Sequence, residues 1–118
     1  MDDMAGKILD LVRKNGSTTL AEIVFAFGDE VTGDYTLGNG KYRTVIYWEG
    51  LSKRAVDAII HLVDSGQMTI ETTFPLVYYM DGMALNRPIA KRFHNYKEPH
   101  WMPIIFNPVH DVATAAIH

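Results

Sequence analysis

Along the first thirty residues, apolar side chains recur at three- and four-residue spacings, the period of helices buried on one face. Met4, Ile8, Leu9, Leu11 and Val12 form one stripe, with Lys7, Arg13 and Lys14 on the other side and Asp3 in position to cap. Asn15-Gly16 closes this first helix, because glycine accepts the left-handed backbone of a helix end. Thr19-Leu20-Ala21-Glu22 then places a threonine and a glutamate at capping-box spacing. Leu20, Ile23, Val24 and Phe27 give a second, short helix that stops at Gly28. Over residues 29–50 the helical period is lost. Asp29, Gly33, Asp34, Gly38, Asn39 and Gly40 are turn formers, and residues 42–48 are rich in β-branched and aromatic side chains. This predicts a β-hairpin, or at least one clear strand, with residues 37–41 as the tip between strands at 31–37 and 42–48. Tyr42, Tyr47 and Trp48 are read as core or seam residues rather than a base-stacking platform, since large rings are mostly buried.

The best-specified stretch is residues 51–66. Ser52 is a favoured N-cap, and Leu51 can staple to Val56 across it. At ~100° per residue, Leu62, Ala55, Ile59, Val63, Val56 and Ile60 fall on one half of a helical wheel, and Lys53, Asp64, Asp57, His61 and Arg54 occupy an opposite sector. After Gly66, Met68 and Ile70 alternate with Thr69 and Glu71 as in a half-buried strand. Phe74-Pro75 is read as a turn, residues 77–80 as the returning strand, and Asp81-Gly82 as a tight turn into a third short strand at 83–85. Beyond Asn86, four prolines break the chain into short pieces. Phe93, Tyr96, Trp101, Ile104, Ile105 and Phe106 nevertheless make it too apolar for a disordered tail. Residues 86–118 are therefore expected to form an arm over residues 1–85 or over a second subunit. Asn107-Pro108 would start a final helix with Val109, Val112, Ala113, Ala116 and Ile117 as its stripe.

The order helix, short capped helix, longer helix, strand pair resembles the winged helix-turn-helix superfamily. Residues 52–56, 61–68 and 77–80 carry the specific likeness, which covers roughly residues 3–28 and 51–80. The resemblance implies an α+β fold: a winged-helix-like three-helix core with a small antiparallel sheet, a β insertion at 29–50 between the second and third helices, and the C-terminal arm. It also implies that residues 52–64 are a recognition helix followed by a wing. Ser52, Lys53, Arg54, Asp57 and His61 would then face DNA in the major groove.

Length and composition narrow the choice. A chain of 118 residues, 47% hydrophobic, suits one domain. Without cysteine there are no disulfides, thiolate metal sites or cysteine nucleophiles. No apolar run reaches the ~20 residues of a membrane helix, and Asp2 and Asp3 stand where a secretory signal would be basic, so a soluble cytoplasmic protein is expected. The net charge of −3 argues against indiscriminate coating of nucleic acid. Residues 87–100 alone are basic, with Arg87, Lys91, Arg92 and Lys97 against Glu98. Lys91, Arg92 and Lys97 would complete a DNA-binding face if they folded back beside Lys53 and Arg54.

Catalytic chemistry finds no constellation. The five histidines lack the four-residue helical spacing of a zinc site, and His110-Asp111 is an isolated pair. Gly38-Asn39-Gly40-Lys41 lacks the spacing of a phosphate-binding loop. No enzyme, metal or cofactor is expected. The winged-helix resemblance therefore implies a sequence-specific double-stranded DNA-binding protein, a transcriptional regulator or an accessory protein of a replicon or mobile element, and the apolar arm suggests a homodimer. The alternative is a winged-helix protein-protein interaction module without DNA binding.

Overall fold

The computed structural model describes residues 3–109. Helix α1 (Met4–Asn15) buries Met4, Ile8, Leu9 and Val12 and ends at Gly16, whose N–H donates to Val12 O at 2.8 Å. Asp3 occupies its N-cap position without a side-chain cap bond. A two-residue strand β1 (Thr18–Thr19) leads into α2 (Leu20–Phe27). The Thr19–Glu22 capping box forms there in both directions. A 3-10 turn at Gly28–Val31 then delivers the chain to β2 (Thr32–Gly38) and β3 (Val45–Leu51), an antiparallel hairpin with an irregular register. Helix α3 (Lys53–Asp64) follows at once, with Ser52 Oγ accepting from Ala55 N. Strand β4 (Met68–Thr72), helix α4 (Pro75–Asp81) and strands β5 (His100–Trp101) and β6 (Ile104–Pro108) complete the chain.

Two small three-stranded sheets result. The first has the order β1-β6-β4 and is antiparallel throughout; the second has the order β2-β3-β5, with β3 and β5 parallel. The architecture is therefore α+β, with four helices and two sheets among the described residues. No helix among them is long and apolar enough to cross a membrane.

An aromatic cluster joins α4 to the second sheet. Trp48 of β3 lies against the Tyr78 ring of α4 at 5.4 Å, and Trp101 of β5 meets Tyr78 edge-on at 5.1 Å. Offset and edge-on arrangements of this kind add to the burial energy of the rings. Tyr78 Oη accepts from Leu20 N at 3.1 Å and donates to Ile104 O at 2.6 Å, so one phenol connects α4 to α2 and β6.

The structure corrects three sequence expectations. Residues 77–80 are not the returning strand of a wing; they lie in α4. Pro75, preset for the first helical position after extended Phe74, starts that helix, and Gly82 in the left-handed region ends it. Residues 83–85 form no strand. Asn107 and Pro108 belong to β6 instead of opening a helix, because Ile104 and Phe106 fill the core and the chain stays extended to carry them. Apart from Val109, whose N–H donates to Gln67 O, the expected terminal stripe lies outside the described residues. Of the segment expected as an arm over residues 1–85 or over a second subunit, Trp101, Ile104 and Phe106 are fully buried, and β6 is the middle strand of its sheet.

Candidate nucleic-acid interface

Helix α3 is held at its N-terminus by the 3-10 turn: Ser52 N–H donates to Val31 O at 2.8 Å and Ser52 Oγ to Glu30 O at 3.0 Å. Ala55, Val56, Ala58, Ile59 and Leu62 are buried, which leaves Lys53, Arg54, Asp57 and His61 exposed, as the wheel predicts. Ser52 is half-buried. Lys53 Nζ lies 2.7 Å from Asp57 Oδ2, and that hydrogen bond, followed by the charge of Asp57, raises the lysine pKa above its usual value. Arg54, Asp57 and His61 line a shallow groove of about 240 Å³ against Met4 and Ala5 of α1. Two cations and two carboxylates, Asp57 and Asp64, leave this face electrically balanced.

Ile60 departs from the wheel. It is 45% exposed and borders a second hollow of about 340 Å³ between α3, the hairpin tip and Ile70 of β4. The tip residues Gly38, Asn39 and Gly40 reach the C-terminal half of α3 there, but they bring no side chain large enough to cover Ile60.

Lys91, Arg92 and Lys97 are exposed; Lys91 borders a hollow shared with Thr73, Phe74 and Met102, and the segment after it runs to the hairpin tip. Phe93 packs on Tyr42 with ring centroids 6.0 Å apart, and His100 N–H donates to Thr44 O at 2.7 Å. Tyr96 stacks on His100 at 3.9 Å and donates from Oη to Arg92 O. Lys41 and Arg43 flank Tyr42, and Lys41 Nζ sits 5.3 Å from the centre of that ring. Sequence reasoning missed Lys41 and Arg43 because they lie about fifty positions upstream of the basic segment. The available signal was the interleaving itself, Lys41-Tyr42-Arg43 matching Arg92-Phe93. Among the described residues, none of Lys41, Arg43, Lys91, Arg92 and Lys97 has a carboxylate partner, whereas Lys7, Lys53 and Arg87 each have one. Arg87 leaves the basic set altogether, since its guanidinium holds both oxygens of Glu49 at 3.0 Å.

The structure does not bring the two groups of candidate residues together. Ser52, Lys53 and Arg54 follow the end of β3, and the basic cluster surrounds its start. The seven residues of that strand, Val45–Leu51, span roughly 20 Å. The outcome is a neutral helix face carrying hydrogen-bonding groups and, at the far end of the neighbouring hairpin, a group of cations with partly exposed rings. Such cations bind phosphate through charge, and such rings can stack on bases. Among the described residues no group of three or more histidines and carboxylates could hold a metal ion. Compared with protein-family models, curated proteins and solved structures, the chain matches none.

Proposed function

We propose that the protein is a sequence-specific double-stranded DNA-binding protein of winged-helix type, acting as a transcriptional regulator or as an accessory protein of a replicon or mobile element. The observation that carries this reading is the order α1, α2, α3 followed by β4, which pairs antiparallel with a returning strand. That return is made by β6, so β4 and β6 take the place of the wing strands, with residues 73–103 inserted between them. Helix α3 then stands in the recognition position with a polar sector turned outward. In this reading Ser52, Lys53, Arg54, Asp57 and His61 contact the groove, and Lys91, Arg92 and Lys97, joined by Lys41 and Arg43, hold the phosphate backbone.

The test is fluorescence anisotropy with duplex DNA of mixed sequence at two salt concentrations. Affinity is expected to fall steeply as salt rises. In the variant Lys41→Ala, Arg43→Ala, Arg92→Ala, Lys97→Ala the log–log slope should become shallower by about 0.9 for every phosphate no longer neutralised. Lys53→Ala with Arg54→Ala should weaken binding and flatten the preference among sequences. No binding at low salt overturns the reading. It would select the alternative, a protein-protein interaction module, which the electrical balance of the α3 face favours.

A further inference from the structure

Helix α4 is apolar on both sides, and the described residues cover only one of them. Tyr78 points inward and is fully buried; Leu76, Tyr79 and Met80, at helical spacings that put them on one face, are 64%, 61% and 79% exposed. Phe74, immediately before the helix, is 79% exposed. A helix that is apolar all round is normally covered all round.

We propose that this outward face is a self-association surface through which two copies of the chain pair about a two-fold axis. The proposal is independent of the nucleic-acid reading. Four features single out a second copy as the occupant. First, these four exposed residues make a patch of several hundred Å², the size range in which exposed apolar patches mark interaction sites and a large part of the ~800 Å² that each partner buries in a standard interface. Second, no residue from Thr72 to Met80 is charged, and the neighbouring Asp81 is engaged by Thr19 Oγ1 at 2.6 Å. Two copies of a molecule of net charge −3 can therefore approach here without carboxylates in contact, the charged side chain at the adjoining hollow being that of Lys91. Third, the face is rigid: the Tyr78 hydroxyl bonds to Leu20 N and Ile104 O, and Gly82 caps the helix. Pairing then costs little ordering entropy. Fourth, knobs and a hollow adjoin. Phe74 and Pro75 border a depression of about 330 Å³ lined also by Ile89, Met102 and Pro103, with Lys91 and Thr73 at its polar side. A two-fold contact seats a side chain of each copy in the hollow of the other, so the same complementarity is used twice.

The experiment is sedimentation velocity on the full chain across a wide concentration range, together with Leu76→Lys, Met80→Lys. The wild type is expected to sediment as a dimer, and the double variant as a monomer with an unchanged far-ultraviolet circular dichroism spectrum. A wild type that stays monomeric at every concentration overturns the proposal, as does a folded double variant that remains dimeric. Should the double variant fail to fold, hydrogen exchange on the wild type decides. Amides of residues 74–82 are expected to gain protection as concentration rises, and protection gained elsewhere but not there overturns the proposal.

Discussion

Tyr78 ties together three elements through a single side chain. Its hydroxyl is the partner of a backbone N–H at the start of α2 and of a carbonyl in β6, both in the interior. Tyr78→Phe would keep the ring between Trp48 and Trp101 but strand both backbone groups. The expected cost is about 1–3 kcal/mol, read as a lower midpoint in urea unfolding with an unchanged slope. Burial also pushes the phenol pKa well above its usual 10.0. The folded state therefore keeps its proton where the unfolded chain sheds it. The stabilisation is fully present below about pH 10 and is lost as pH rises beyond that value. Alkaline loss of stability should be shallower in Tyr78→Phe, by up to about 1.4 kcal/mol per pH unit. None of this was legible locally. Val77-Tyr78-Tyr79 has strand-like composition, and the partners that favour a helix there lie 58 and 26 residues away.

Among the elements, those whose determinants lie within a few residues were readable. Thr19 and Glu22 cap α2, and Ser52 caps α3, because each accepts from a backbone N–H only three positions away. The joint between hairpin and α3 was not, since it depends on close approach of two segments. A Cβ on Gly33 would lie 2.9 Å from Ser52 Cα and 3.0 Å from Leu51 O, both backbone atoms that cannot swing aside. Gly33→Ala should therefore force the root of the hairpin away from the N-terminus of α3 and cost about 1–3 kcal/mol in thermal or urea unfolding. Gly40, at the tip, has nothing within 4 Å of the same position, and Gly40→Ala should change stability by no more than about 0.5 kcal/mol. Equal effects at the two glycines would show that the hairpin root is not clamped. The contrast bears on the proposed function, because the clamp fixes how far the basic tip stands from Lys53.

For the molecule as a whole, the decisive feature is that its first sheet is closed by its last described strand. Strand β6 pairs on one side with β1, which follows α1, and on the other with β4, which follows α3. Nearly ninety residues separate Thr18 from its partner Phe106, and periodicity within short windows cannot reveal such a pairing. The prolines and irregular spacing after Asn86 made the region look peripheral, yet Trp101, Ile104 and Phe106 are among the most deeply buried side chains. Each contributes about 1.5–3 kcal/mol by burial, comparable in sum to the whole stability of a typical domain. A chain ending at Leu85 would lose these residues and leave the inner edges of β1 and β4 unpaired. It would also strip the cover from Tyr78 and remove the acceptor of its hydroxyl, the Ile104 carbonyl. Such a chain is expected to show no cooperative unfolding transition by circular dichroism and to exchange its amides rapidly, while the full chain unfolds cooperatively. A truncated chain that melted cooperatively near the full-length temperature would mean that residues 3–85 hold a core without β6. The same pairing explains the position of the basic cluster: β5 is drawn alongside β3 and β6 between β1 and β4, so residues 92–97 are carried to the hairpin tip and away from the start of α3.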